Sequence, residues 1–222
     1  MIERGDFLVV HEPFSNLAAL GHFVVGTTRV SSFGELVGLL RDQAAVKPVF
    51  FKDTTEYRYP EVLEDPTLLN EAVHTFIIRD PAEVIASHYA INPRLTLAEV
   101  GYGHLLEIFD AVRRRSGTTP VVMDAADLVA DPEGMVRAYC SQVGIPFLPE
   151  ALRWEHGERG EWARTTHWHE DVNRSTGMND ASRQYPVRVD NNDLLAALYQ
   201  HHLPFYAELR THRLTPLADR PG

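Results

Sequence analysis

Arg79 and Ser87 have the chemistry to seat a phosphate, one offering a planar fork of donors matched to its oxygens and the other a hydroxyl. They flank a junction in the stretch HTFIIRDPAEVIASHY, His74 to Tyr89. Thr75 to Ile78 is a short apolar run with β-branched and aromatic residues, expected to be a strand buried on both faces of a parallel sheet. Arg79-Asp80 stops that run, and Pro81 suits the first turn of a helix, where its missing N–H would have no intrahelical partner. Val84, Ile85 and Ala86 give the helix apolar surface. Arg79 is therefore expected at the carboxyl end of a strand and Ser87 two turns into the next helix, at the edge where open α/β sheets bind ligands.

Two other strand ends carry groups for acid–base or charge-stabilising work. Phe7 to Val10 reads as a buried strand ending in His11-Glu12-Pro13, where a His-Glu pair could move protons and a plain turn stopped by Pro13 is the competing reading. Pro48 to Phe51 is the next strand, and Lys52 at its end could donate to an oxyanion or simply pair with Asp53 at the surface. Arg153 to Met178 is polar, bears glycines and holds all three tryptophans, which suggests a lid or ligand clamp. Within it, His167-Trp168-His169-Glu170 lacks further ligands at metal-site spacing, so no metal is expected.

The elements that must position these groups follow from composition and periodicity. At 222 residues, 44% hydrophobic and 23% charged, the chain suits a single α/β domain spanning 1–222. A net charge of −10 argues against nucleic-acid or anionic-membrane surfaces, so an anionic ligand needs local positive groups. The lone Cys140 excludes an internal disulfide, and no long apolar run appears, which together suggest a soluble cytoplasmic protein. Oligomeric state is left open.

Ser31 or Ser32 is expected to cap a helix running to about Ala45, while Ser15 to Gly26 gives no clear pattern. Tyr57 to Asp65 reads as a loop, and Asp65-Pro66 as the start of a short helix. Thr96 to Glu99 matches a capping box opening one long helix that Arg113-Arg114-Arg115 ends, with His104 packed rather than catalytic. Pro120 to Met123 is a fourth strand ending in Asp124, followed by a helix from Pro132 to Gly144 with Val136, Tyr139, Cys140 and Val143 inward. A last helix runs from Asp193 to Leu209, bent or restarted at Pro204, before a frayed tail over 211–222. Strands alternating with helices at this rhythm imply βαβ units and a parallel sheet flanked by helices.

Arg79-Asp80-Pro81, Glu83 and Ser87 together resemble the 3′-phosphate-binding element of sulfotransferases that use 3′-phosphoadenosine 5′-phosphosulfate. His11 to Ser15, Phe51-Lys52-Asp53, Asp124 to Leu128, Leu152 to Gly157 and Trp168 to Gly177 resemble, in order, the motifs of a bacterial sulfotransferase subfamily. The resemblance implies a P-loop-NTPase-like α/β fold and transfer of a sulfuryl group to a hydroxyl or amine of a small-molecule acceptor. It implies that Arg79 and Ser87 hold the donor's 3′-phosphate, that Lys52 contacts the bridging oxygen of the transferred sulfate, and that Glu12 is the general base. The segment from Gly157 through Gly160-Glu161-Trp162 resembles the glycine-rich loop that closes on the nucleotide.

The sequence departs from the family at three places. Glu155 and His156 stand where basic residues are usual, and Thr54 replaces a histidine that serves as base in the classical cytosolic enzymes, which moves the assignment to Glu12. Family members also begin with a strand, a Ser/Gly-rich phosphate loop and a helix, whereas Met1 to Arg4 here resembles only the end of that helix. The first strand and phosphate loop are thus expected to be missing. That leaves open either a true start upstream or a non-catalytic nucleotide-binding relative.

Overall fold

The computed structural model describes residues 1–157, 160, 170–178 and 184–216. Glu161-Trp162 and His167-Trp168-His169 of the expected lid, and the tail beyond 216, lie outside the described residues. In chain order the elements are β1 (Leu8–His11), α1 (Pro13–Leu20), β2 (Phe23–Val25), β3 (Thr28–Val30), α2 (Phe33–Ala44) and β4 (Val49–Lys52). Next come α3 (Pro60–Glu64), α4 (Pro66–Glu71), β5 (Thr75–Ile78), α5 (Pro81–Ile91), α6 (Leu97–Val100), α7 (Tyr102–Ser116) and β6 (Val121–Asp124). The remainder comprises α8 (Ala125–Ala130), α9 (Pro132–Val143), α10 (Glu170–Asn173) and α11 (Asp193–Thr211). The chain packs as two units, Met1–Thr54 with Leu148–Ala181, and Thr55–Phe147 with Ser182–Gly222.

In the first unit β1 and β4 pair in parallel, with Leu8 opposite Val49 and His11 opposite Lys52. The ladder continues one residue further, where the Glu12 N–H donates to the Lys52 carbonyl at 2.7 Å. Ser15 to Gly26, unreadable in sequence, contains most of α1 and the first strand of the antiparallel β2–β3 hairpin. Phe14 anchors this unit, its ring 5.3 Å from that of Phe33 and 5.4 Å from that of Phe51. Ser32 caps α2 as expected: its Oγ accepts from the Glu35 N–H, while the Glu35 carboxylate accepts from the Ser31 N–H at 2.7 Å.

The start of α1 is held by a residue from the neighbouring strand. Asp53, just past β4, accepts from the N–H groups of Phe14 (2.6 Å), Ser15 (3.0 Å) and Thr54 (3.0 Å). Asp53 thus does not pair with Lys52 at the surface, because two amide donors at a helix N-terminus attract its carboxylate inward. Burial pushes its carboxyl up to about 6, against the pull of those three N–H donors.

In the second unit β5 and β6 pair in parallel from Thr75–Val121 to Ile78–Asp124. Phe76 and Ile78 point into a core with Ile85, Phe109, Val122, Leu195 and Leu209. β5 is not buried on both faces: Ile77, on the opposite side of the pleat, is 57% exposed. Asp65 caps α4 as expected, but Tyr57 to Asp65 contains α3 instead of forming a plain loop.

The capping box at Thr96 and Glu99 is present, yet it opens only the single turn of α6. Gly101 breaks the expected long helix with φ +79°, and a Cβ there would lie 2.7 Å from the Thr55 carbonyl oxygen. His104, on the helix that restarts, bonds the same carbonyl at 3.0 Å. Along α9 the buried positions are Met135, Ala138 and Cys140, while Val136, Tyr139 and Val143 are half-buried. α11 runs through Pro204 without restarting, since bonds on either side hold it: His202 to the Leu97 carbonyl (3.0 Å), Tyr206 and Arg210 to Asp124 (2.9 and 3.1 Å). Among the described residues no helix is long and apolar enough to cross a membrane.

Gly101→Ala combines a left-handed conformation with a backbone clash and is expected to lower stability by about 2 kcal/mol or more, read from urea unfolding. Because folded Asp53 keeps its proton to higher pH than in the unfolded chain, its contribution weakens the fold as pH rises from about 4 to about 6. A carbon-13 NMR titration should place the Asp53 midpoint near 6.

Candidate functional site

Each unit brings candidate residues to the carboxyl ends of its parallel strands. In the first, Glu12 occupies the junction between β1 and α1 with φ 49° and ψ 51°, and among the described residues it is the only non-glycine with positive φ. Such a conformation costs a side chain of this type of order 1–2 kcal/mol, so the surroundings must hold it there. Its N–H and carbonyl are both engaged, the latter by Asn16 Nδ2 at 2.7 Å. Although Glu12 is the residue before α1, its carboxylate makes no capping bond, because Asp53 already takes those amides.

The Glu12 carboxylate turns instead to Lys52, with Oε1 accepting from Nζ, while Oε2 lies 3.5 Å from His11 Nε2. The Glu12 side chain is 13% exposed and that of Lys52 44%. A buried-edge carboxylate held by a cation that can swing to solvent is a pair able to separate, the lysine moving to a developing negative charge and the carboxylate becoming free to take a proton. Lys52 therefore pairs with Glu12 and not with Asp53, and His11-Glu12-Pro13 is a bend that leads directly into α1.

In the second unit, Arg79 follows β5 and Asp80 caps α5 by accepting from the Ala82 N–H at 2.8 Å. Arg79 Nε donates to Glu83 Oε2 at 2.6 Å, an ion pair with both side chains well exposed. Glu83 and Ser87 are one helical turn apart on α5, so the carboxylate that holds the guanidinium shares a helix face with Ser87. An exposed ion pair of this kind is worth at most about 1 kcal/mol, which leaves the guanidinium exchangeable for a phosphate.

The surroundings of Arg79 were not legible in sequence. Tyr102 O–H donates to the Arg79 carbonyl, and burial pushes that phenol well above its ordinary pKa. Asp124, in register with Ile78 and fully buried, accepts from Tyr206 O–H, Arg210 Nε and the Ala126 N–H. Burial and the adjacent Asp124 push Tyr206 up to about 12, so it remains a donor at neutral pH. Tyr185 O–H donates to Ser87 Oγ at 2.9 Å from a position 98 residues further along the chain. No local periodicity around Gln184-Tyr185-Pro186 signals that contact.

Gly157 has φ +138°, which favours glycine, and its N–H donates to the Asn173 carbonyl at 3.0 Å. It belongs to a clasp in the first unit where Arg153 bridges Gly177, the Trp154 N–H bonds the Thr176 carbonyl and the Trp154 indole bonds Ser175 Oγ. The Gly157 amide is thus spent on the neck of the Trp-rich loop in this conformation. Among the described residues no group of three or more His, Cys, Asp or Glu is placed to hold a metal ion.

Comparison with known proteins bears on these sites. Two curated relatives from Arabidopsis thaliana are branched-chain-amino-acid aminotransferase-like proteins 1 and 2. The first is 32% identical over 225 residues, covering 95% of this chain and 38% of that protein. The second is 35% identical over 150 residues, covering 65% of this chain and 25% of that protein. The chain therefore spans only 25% to 38% of the length of these relatives. Among solved structures, the sulfotransferase domain from the curacin biosynthetic pathway is 16% identical, with a TM-score of 0.43 over 82% of this chain and 68% of that one. The family described as "Sulfotransferase domain" matches residues 1–213, nearly the whole chain with both strand-end sites inside it, and the chain belongs to that family.

Proposed function

We propose that this chain transfers a sulfuryl group from 3′-phosphoadenosine 5′-phosphosulfate to a hydroxyl or amine of a small-molecule acceptor, in a cytoplasmic setting. The observation that carries the reading is the Glu12–Lys52 pair at the ends of two parallel strands, a base and a cation poised to separate, in a chain of this family. Arg79 and Ser87 fit the donor's 3′-phosphate, since the guanidinium is exposed and held by Glu83, one helical turn from Ser87.

In the proposed reaction the sulfur–oxygen bond to the phosphate breaks and its electron pair stays on the phosphate oxygen, giving adenosine 3′,5′-bisphosphate. A new bond forms between sulfur and the acceptor oxygen or nitrogen, and the acceptor's proton goes to Glu12. Lys52 Nζ leaves Glu12 for the departing oxygen, where charge accumulates, so one movement unmasks the base and neutralises the leaving group. A loose transition state leaves the protein mainly to orient reactants and stabilise charge. Gly157, at the neck of the Trp-rich loop, is proposed to let that loop close over the nucleotide.

Arg79→Ala is expected to weaken binding of adenosine 3′,5′-bisphosphate at least about tenfold by calorimetry, each charge-assisted bond being worth roughly 1.5–3 kcal/mol. Unchanged affinity would exclude the phosphate seat. With radiolabelled donor and a panel of phenols, alcohols and amines, Lys52→Ala and Glu12→Gln should each lower turnover by about 100-fold or more. Nucleotide binding with no turnover of any acceptor would instead identify a non-catalytic nucleotide-binding relative.

A further inference from the structure

We infer that Tyr185 is a positioning residue that aims the Ser87 hydroxyl at an anion, an inference that rests on the reading of Arg79 and Ser87 as a phosphate seat. A serine inside a helix has a local outlet for its proton, the carbonyl four residues back, and a serine so engaged offers a ligand little. Ser87 sits within α5, where Glu83 supplies that carbonyl. Tyr185 O–H donates to Ser87 Oγ at 2.9 Å, filling one lone pair of the oxygen and restricting the directions its proton can take.

Hydrogen bonds in series polarise one another, so a serine that receives a bond from a phenol becomes a better donor to the next acceptor. The arrangement is a relay of donors, from Tyr185 O–H to Ser87 O–H to an anionic oxygen, with no proton transferred. A phenol has one proton, and Tyr185 spends it on Ser87, so it acts through the serine without touching the phosphate. The contact joins α5 to the segment just before α11, which makes the donor strength of Ser87 depend on a residue remote in sequence. Tyr185 is half-buried, so the phenol is placed to hold the serine without sealing it from solvent.

Calorimetry on the full chain with adenosine 3′,5′-bisphosphate and adenosine 5′-monophosphate tests this. Tyr185→Phe removes only the hydroxyl and is expected to weaken bisphosphate binding about fivefold, the scale of one neutral hydrogen bond, and to leave monophosphate binding unchanged. Ser87→Ala should weaken the bisphosphate at least as much, and adding Tyr185→Phe to it should change nothing further. Wild-type bisphosphate affinity in Tyr185→Phe, an equal loss for both nucleotides, or additive losses in the double variant would overturn the role of Tyr185. Arg79→Ala run alongside separates the two levels. If it keeps the wild-type preference for the 3′-phosphorylated nucleotide, or if the wild type has no such preference, the seat itself is wrong. If Arg79→Ala abolishes the preference while Tyr185→Phe behaves as wild type, only the inference about Tyr185 falls.

Discussion

The N-terminus of a helix presents amide protons that must find acceptors, and in this chain aspartates at strand ends meet that need. Asp53 serves α1, Asp80 serves α5 and Asp124 serves α8. Each lies where a parallel strand ends: Asp80 and Asp124 cap the helix that follows their own strand, and Asp53 caps the helix that follows the neighbouring strand. The neighbours of these caps are thereby released from backbone duty. Glu12, standing at the cap position of α1, is free to hold Lys52 only because Asp53 reaches over from the adjacent strand. Arg79 is free to lie along α5 only because Asp80 has taken the cap of that helix.

The two sites differ in how firmly they are built. The first relies on an unfavourable backbone conformation at Glu12, locked by the ladder bond to Lys52 and by Asn16. The second relies on buried aromatic and charged contacts behind the exposed groups. Tyr102 holds the Arg79 carbonyl, and Tyr206 and Arg210 hold Asp124, so the ends of both β5 and β6 are pinned from the far side by α7 and α11. Among the described residues the Arg79 guanidinium has a weak ion pair to give up, which suits a group that must exchange partners when a ligand arrives.

Much of this was legible in sequence, for identifiable reasons. Pro66, Pro81 and Pro132 mark helix starts because their conformation and missing N–H fit there, and all three do so, whereas Pro13, read as the stop of a turn, opens a helix as well. The short apolar runs gave the four strands of the parallel pairs to within a residue or two. What escaped depended on partners distant in the chain. Helical spacing across Gly101 suggested continuity, but a close approach to Thr55 demanded a left-handed glycine there. Pro204 suggested a break, but α11 is held on both sides by α6 and Asp124. The expected Lys52–Asp53 pair gave way to Glu12 because no local rule could announce that Asp53 faces a helix end from another element. Tyr185 was invisible for the same reason.

Both units are closed by segments that return from far along the sequence, 148–181 for the first and 182–222 for the second. α11 supplies the phenol and guanidinium that satisfy the buried Asp124 carboxylate. During synthesis, therefore, β5 and β6 emerge from the ribosome long before the side chains that neutralise the acid between them. The second unit cannot settle until α11 has been made, and a nascent chain stalled short of residue 193 would carry its strands with a charge still seeking water.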